Sequence, residues 1–109
     1  MRVFFIAMLI TASLSQAGAE IKTQVVQYSD GNVALEGFVA WDSEMADNAV
    51  PGILVVHQWT GLTDYEKGRC QQLAALGYVA FALDVYGKGI RPANMQDAAK
   101  QAGIYKHDR

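Results

Sequence analysis

Three side chains that could take part in chemistry, His57, Gln58 and Trp59, stand directly after a short apolar run, residues 53–56. Four consecutive apolar residues behind the Pro-Gly pair at 51–52 are typical of a central strand that is buried on both faces. Ligands of open α/β sheets bind beyond the carboxyl ends of the strands, so these three residues are placed where a pocket would form. The same loop could instead be a plain helix entry, with Trp59 as a lid over the sheet.

His57 and Cys70 are the residues near this loop that could move a proton or attack a substrate. A histidine at a strand end is more often a buried, hydrogen-bonded structural residue than a base, and we expect that role for His57. Cys70 has Gly68 two residues before it, but Gln72 stands where a Gly-x-Cys-x-Gly nucleophile turn needs its second glycine. We therefore expect the Cys70 thiol to lie on a helix face or in the core.

The sequence predicts neither a metal site nor a bound cofactor. His57, Cys70 and His107 have no recognised zinc-ligand spacing. The loop after the apolar run lacks Gly-x-Gly-x-x-Gly, and the Gly-Lys-Gly sequence at 87–89 does not fit a phosphate-binding loop. The formal net charge is −2 and no Lys/Arg cluster is present, which removes the electrostatic reason to propose nucleic acid or an anionic membrane as a partner. A small neutral or modestly anionic ligand remains open.

The residues before the apolar run predict an antiparallel hairpin. Residues 21–28 and 33–41 have the composition of strands, and the Asp30-Gly31 pair between them is a strong turn signal. In the second strand, alternate residues are expected to share the core face: Val33, Leu35, Gly37, Val39 and Trp41. Residues 42–50 are polar and predict a surface loop.

A capped helix and a second buried strand are predicted after the loop. Thr63 and Glu66 match the capping box, so the helix should begin at Asp64, and Gly77 is the residue type that ends a helix. Its apolar side is expected to consist of Leu62, Tyr65, Leu73 and Leu76. The apolar run 78–83 then predicts a strand parallel to the first, because strand, helix and strand form a right-handed crossover.

The last part of the chain predicts a glycine-rich loop at 85–92 and a further helix from Asn94 or Met95 to about Ala102. The loop should lie at the same sheet edge as His57. Asp84 precedes it and is expected to anchor the loop through backbone hydrogen bonds rather than to act as an acid.

The first 19 residues have the features of a secretory signal peptide. Arg2 precedes the apolar run 3–14, and Ala17-Gly18-Ala19 supplies a small-x-small cleavage pattern. Cleavage after Ala19 would leave residues 20–109 as the mature domain, in the periplasm or secreted, without stable membrane insertion. A short N-terminal anchor that stays uncleaved is the alternative. With one cysteine in the chain, the domain cannot form an intramolecular disulfide.

Taken in order, these features resemble the dienelactone hydrolase family of the α/β-hydrolase fold. The resemblance covers the hairpin, the strand 53–56, the His-Gln-Trp-Thr-Gly loop at 57–61, the capped helix and the Gly-Tyr-Val-Ala-Phe-Ala-Leu-Asp-Val-Tyr-Gly stretch at 77–87. It implies a partial α/β-hydrolase fold, with an N-terminal antiparallel hairpin, a parallel β-α-β unit and a further helix. The sheet would be incomplete, with strand 78–83 between the hairpin and strand 53–56.

The resemblance also assigns roles to individual positions. The backbone N–H of Trp59 would be one donor of the oxyanion hole, and Gln58 would replace a glutamate that the family uses near its nucleophile. Gln58 cannot titrate and offers only hydrogen bonds. Tyr86 could line the pocket. Lys88 stands near an arginine with which family members bind a substrate carboxylate, and Arg91 follows three residues later; a solvated loop charge is the other interpretation.

The residues that would complete the chemistry are missing from the sequence. No serine or cysteine has glycines at both positions of the Gly-x-Ser/Cys-x-Gly turn, and the acid and histidine that follow it in this fold are also lacking. We therefore expect a truncated hydrolase of carboxylic esters or lactones that is inactive alone. The alternative is a small exported binding module that holds an apolar ligand with the loops at Trp59 and Tyr86.

Overall fold

The computed structural model of the chain describes residues 20–45 and 49–108. The predicted signal peptide and part of the predicted 42–50 loop lie outside these residues. In chain order the elements are β1 (Ile21–Asp30), β2 (Val33–Asp42), a 3₁₀ turn (Ser43–Met45), β3 (Gly52–Val56), α1 (Asp64–Ala75), β4 (Val79–Leu83) and α2 (Met95–Asp108).

The strands form one mixed sheet in the order β1-β2-β4-β3. β1 and β2 are antiparallel and in register from Ile21↔Asp42 to Asp30↔Val33, and Gly31 takes the positive φ of +57° that their tight turn requires. β2 pairs antiparallel with β4, and β4 pairs parallel with β3. The predicted hairpin, the parallel β-α-β unit and the position of β4 in the middle are all confirmed.

β3 is an edge strand within the part of the chain that the structure describes. Leu54 and Val56 on its outer face are 69% and 64% exposed. The expectation that residues 53–56 are buried on both faces is therefore wrong for this chain, because only the side toward α1 is covered. The apolar composition of β3 is that of an inner strand, but its free edge and bare face are those of an outer one.

α1 packs on one face of the sheet, mainly against β2 and β4. The buried residues on its inner side recur every four positions, and they are Leu62, Glu66, Cys70 and Ala74. Of the predicted apolar side, Leu62 and Leu73 do pack in or against the core, whereas Tyr65 and Leu76 are 58% and 75% exposed, so the prediction is wrong for those two. The sheet presents Ala40, Ala80 and Ala82 to the helix, and small residues on both sides let the helix lie close to the strands.

Both faces of β2 carry buried residues, so the predicted half-buried strand is not observed. Phe38 and Ala40 face α1 in the core, whereas Leu35 and Gly37 are buried on the other face of the sheet. The Phe81 ring lies over Gly37 so closely that a Cβ there would come within 2.6 Å of it. The predicted alternation is therefore confirmed, and Leu35 and Gly37 of the predicted face are buried, but the expectation of a single buried face is wrong because both faces of β2 are partly covered.

The helix ends follow the sequence signals. The capping box of Thr63 and Glu66 is present, and Gly77 has a φ of +98° just beyond the last turn of α1. The amides of Gly77 and Tyr78 donate to the carbonyls of Ala74 and Leu73, the paired bonds of a Schellman motif.

α2 begins where the capping residue predicts, since Asn94 Oδ1 accepts from the Asp97 amide at 2.8 Å. It continues to Asp108, six residues beyond the predicted end near Ala102, because Gly103 lies within the helix instead of ending it. Among the described residues, no helix has the length and apolar character needed to cross a membrane.

Candidate functional site

The loop between β3 and α1 turns sharply just beyond the carboxyl end of β3. The Gly61 amide donates to the Gln58 carbonyl at 3.1 Å, which closes a turn over residues 58–61. Gly61 has a φ of +86°, and a Cβ there would meet the Ile90 carbonyl and Arg91 Cδ at 3.2 Å. Only glycine therefore fits where this loop touches the loop after β4.

His57 is held at both ring nitrogens. The Val85 amide donates to Nε2 at 3.1 Å, so that nitrogen supplies a lone pair, and the proton belongs to Nδ1, which donates to the Gln58 carbonyl at 2.6 Å. The residue is 9% exposed, and its ring packs edge-on against Tyr86 with centroids 4.8 Å apart. His57 is thus the buried, hydrogen-bonded structural histidine that was expected, with no ring nitrogen left to act as a base.

The bond from His57 also orients the next peptide unit. The Gln58 carbonyl and the Trp59 N–H belong to one planar trans peptide and point in opposite directions. That carbonyl accepts from both His57 and Gly61, so the Trp59 N–H is directed away from them. Among the described residues, the Trp59 N–H makes no hydrogen bond. The result is a free, oriented donor at the tip of a parallel strand.

Tyr86 holds the carbonyl of Trp59. Its hydroxyl donates to the Trp59 carbonyl at 2.8 Å, and its ring stacks on Tyr105 with centroids 5.8 Å apart. The side chain is 4% exposed, and burial raises the pKa of Tyr86, which keeps the hydroxyl protonated and able to donate. Tyr86 was predicted to line the pocket; the structure places its hydroxyl on the loop that carries Trp59.

Trp59 is one of the residues that line a cavity near the carboxyl end of β3. The indole is 43% exposed, and the cavity has a volume of about 200 Å³. The remaining lining residues, mostly apolar, are Thr60, Pro92, Ala93, Asn94, Met95 and Ala98. A larger cavity of about 460 Å³ lies at the opposite end of the sheet, near Trp41 and Tyr78, and touches none of the predicted site residues.

Gln58 is exposed to solvent. Its backbone is fixed, as described above, while its side-chain amide is exposed. An amide there can donate or accept a hydrogen bond but cannot carry a proton to or from a reacting group at neutral pH.

The loop after β4 is anchored by Asp84, as the sequence predicted. This carboxylate is 2% exposed and accepts from the amides of Glu36 at 3.0 Å and Gly87 at 3.1 Å. Arg91 lies 3.6 Å from it and donates to the carbonyls of Gly87 and Ile90. Two charges and several backbone groups thus fix the loop.

The two cations predicted to bind substrate both contact protein groups. Arg91 makes the loop contacts just described and is 28% exposed. Lys88 is 55% exposed and lies 3.9 Å from the Glu36 carboxylate, which makes it a weak surface pair. Their contact with a substrate stays a prediction.

Cys70 is fully buried among the core residues between α1 and the sheet. Burial raises the pKa of the Cys70 thiol, and the negative charge of Glu66 raises it further. A protonated, inaccessible thiol is a poor nucleophile, so the expected structural role is confirmed. Among the described residues, no group of three or more histidine, cysteine or carboxylate side chains could hold a metal ion.

Solved structures of known proteins identify the fold class of this chain. The fold matches the solved structure of a dienelactone hydrolase-like promiscuous phosphotriesterase from metagenomic libraries, with a TM-score of 0.74 and 30% identity over 84% of this chain and 37% of that one. The architecture is therefore an incomplete α/β-hydrolase sheet. The model of the dienelactone hydrolase family matches residues 32–108, and the chain belongs to that family.

Two curated proteins are similar to this chain in sequence. A protein of Aquifex aeolicus (strain VF5) named "Putative carboxymethylenebutenolidase" is 38% identical over 71% of this chain and 32% of its own length. "Protein usf" of Aquifex pyrophilus is 34% identical over the same shares. The chain thus spans about a third of the length of the curated relatives it matches.

Proposed function

We propose that this chain is the N-terminal part of a hydrolase of carboxylic esters or lactones and that the Trp59 N–H is one donor of its oxyanion hole. The observation that carries the proposal is the Gln58–Trp59 peptide. Its carbonyl is bonded on one side, and its N–H is left free on the other, at the carboxyl end of a parallel strand. Family membership supplies the reaction class.

In such a reaction a nucleophile attacks the ester carbonyl, and its oxygen becomes negatively charged. A preorganised hydrogen-bond donor stabilises that charge by about 3 to 4 kcal/mol in hydrolases where one has been removed by mutagenesis. The role does not depend on the side chain at position 59. It does depend on orientation, which His57 and Tyr86 provide through the carbonyls of Gln58 and Trp59.

The nucleophile, the acid and the catalytic histidine would come from residues outside this chain. The chain's share of its relatives' length supports this, and so does β3, whose free edge and bare face would receive a further strand and its cover. Gln58 would then orient the nucleophile by hydrogen bonding while another group takes its proton. In this proposal, Tyr86, Lys88 and Arg91 contribute to substrate binding.

Export forms part of the same proposal. The charged residue, apolar run and small-residue pattern of positions 1–19 support a signal peptide cleaved after Ala19 and a periplasmic or secreted enzyme. No cofactor is assigned, and the partner is a small ester or lactone.

The test compares two proteins: the complete polypeptide that the gene encodes, and residues 20–109 alone. With p-nitrophenyl butyrate as substrate, we expect hydrolysis by the complete polypeptide and no rate above buffer from the segment. The segment should also be aggregated or molten, because its edge strand is apolar and unpaired. A sharp, monomeric, cooperative unfolding transition of the segment, or an inactive complete polypeptide, would contradict the proposal.

A non-catalytic exported binding module is the second candidate, favoured by the apolar cavity beside Trp59. The gene sequence past Arg109 distinguishes the two. A Gly-x-Cys/Ser-x-Gly pattern followed by an acid and a histidine supports the hydrolase, whereas a stop codon with no such continuation supports the binding module.

A further inference from the structure

Tyr105, near the end of α2, contacts Tyr86 in two ways. Its hydroxyl donates to the Tyr86 carbonyl at 3.0 Å, and its ring stacks on the Tyr86 ring with centroids 5.8 Å apart and 18° between the planes. Tyr105 is half-buried, and the two tyrosines are 19 residues apart in the sequence. Tyr86 is therefore held by α2 at its backbone and at its ring.

The length of α2 makes this contact possible. Tyr105 lies beyond Ala102, where the sequence predicted that the helix would end. Because an α-helix has 3.6 residues per turn, Tyr105 lies on the same side of α2 as Ala98, about two turns earlier. Ala98 is fully buried and lines the cavity together with Trp59. One side of α2 thus reaches both the cavity and Tyr86.

Tyr86 passes this support to the peptide units on both sides of Trp59. Its hydroxyl donates to the Trp59 carbonyl at 2.8 Å, which fixes the peptide after Trp59. Its ring packs edge-on against His57, and His57 donates to the Gln58 carbonyl, which fixes the peptide before Trp59. With both planar units fixed, the direction of the Trp59 N–H is set.

We propose that Tyr105 is a positioning residue that aims the Trp59 N–H by holding the Tyr86 hydroxyl in place. The inference rests on the proposed hydrolase function, but its geometric part can be measured without substrate. Without Tyr105, the Tyr86 side chain would be free to shift, and the donor would be poorly aligned with the developing oxyanion. Tyr105 does not line the cavity with Trp59, so its loss should lower the rate and leave substrate binding intact.

The kinetic test uses the complete polypeptide with p-nitrophenyl butyrate as substrate. Tyr105→Leu removes the hydroxyl and the stacked ring, and Tyr105→Phe removes the hydroxyl alone. Tyr65→Leu is the matched control, since Tyr65 is a 58% exposed tyrosine of α1 whose hydroxyl accepts from Arg69. We expect kcat to fall about tenfold in Tyr105→Leu and about threefold in Tyr105→Phe, with KM within about twofold and the control unchanged.

A double-mutant cycle with Tyr86→Phe separates a positioning role from a general loss of stability. If Tyr105 acts through the Tyr86 hydroxyl, adding Tyr105→Leu to Tyr86→Phe should lower kcat by less than about twofold further. Losses that multiply, or a wild-type kcat in Tyr105→Leu, would show that Tyr105 does not aim the donor. Should Tyr105→Leu fail to fold, the same cycle with Tyr105→Phe decides.

Hydrogen exchange followed by NMR measures the geometry without substrate. The Gly61 amide donates to the Gln58 carbonyl and so reports whether the 58–61 turn is closed. It should exchange at least about fivefold faster in Tyr105→Leu than in wild type or Tyr65→Leu, while the amides of β4 keep their wild-type rates. Unchanged Gly61 rates, or equal acceleration in β4, would overturn the inference. A wild type that does not hydrolyse the ester refutes the proposed function, and the Gly61 rates then decide the inference by themselves.

Discussion

The peptide unit between Gln58 and Trp59 carries the function proposed for this chain. Its carbonyl accepts from a histidine and a glycine amide, and the Trp59 carbonyl beyond it accepts from a tyrosine hydroxyl. The sequence could place Trp59 at a strand end, but it could not show these bonds. Tyr86 is 27 residues from Trp59, and Val85 is 28 from His57, so no local pattern encodes either pair.

Cys70 gives a residue-scale prediction about reactivity. Because burial and the nearby Glu66 charge raise its pKa, little thiolate forms at pH 8, and iodoacetamide cannot reach the sulfur. In the native complete polypeptide, alkylation of the Cys70 peptide, followed by mass spectrometry, should be at least about tenfold slower than in the protein unfolded in urea. Equal rates in both states would show that the thiol is exposed and the α1 packing described above is incorrect.

At the scale of elements, the local sequence signals predicted the ends of α1 correctly, but hydrophobic periodicity did not predict its buried face fully. The capping box and Gly77 gave the start and end of α1 correctly, because caps depend on residues within one turn. The buried side of α1 was only half predicted: Leu62 and Leu73 pack in or against the core, but a capping glutamate and small residues take the other inner positions, while Tyr65 and Leu76 face outward. A search for large apolar residues cannot identify the buried face of a helix that contacts its sheet through small side chains such as alanine and cysteine.

Two glycines of this region should respond in opposite ways to alanine. Gly68 lies inside α1 with open space around its Cα, so Gly68→Ala should stabilise the complete polypeptide by about 1 kcal/mol. Gly77 has a φ of +98°, and Gly77→Ala should destabilise it by about 1 to 2 kcal/mol, although no atom would clash. Urea denaturation measures both. If both substitutions changed the free energy of unfolding in the same direction, the backbone conformation described for one of the two glycines would be wrong.

At the scale of the molecule, the strand order β1-β2-β4-β3 was predicted correctly, but only through resemblance to a family. Hydrophobic periodicity predicts strands and cannot say which strands are neighbours. The same limit explains the error at β3: its apolar sequence is that of an inner strand, and burial on both faces requires chain segments that the described residues do not include.

Lysine substitutions on the two outer strands test whether β3 is covered in the complete polypeptide. Val56 on β3 and Val25 on β1 are both exposed in this chain. If further residues cover β3, Val56→Lys should cost at least about 2 kcal/mol, while Val25→Lys should stay within about 0.5 kcal/mol of wild type. Denaturant titration of both variants gives the answer. A cost for Val56→Lys as small as that for Val25→Lys would mean that the β3 face stays bare.

The proposed oxyanion hole depends most on one donor, the backbone N–H of Trp59, and that group can be removed almost alone. Position 59 is the second residue of the 58–61 turn, where proline is well tolerated, and Trp59→Pro keeps the carbonyl that Tyr86 contacts. Trp59→Ala keeps the N–H and serves as the control.

The measurement is kcat for p-nitrophenyl butyrate with the complete polypeptide. We predict that Trp59→Pro loses about 10² to 10³ in kcat, whereas Trp59→Ala loses less than about tenfold. A folded Trp59→Pro variant that hydrolyses the ester as fast as Trp59→Ala would contradict the assignment of the Trp59 amide as the oxyanion donor.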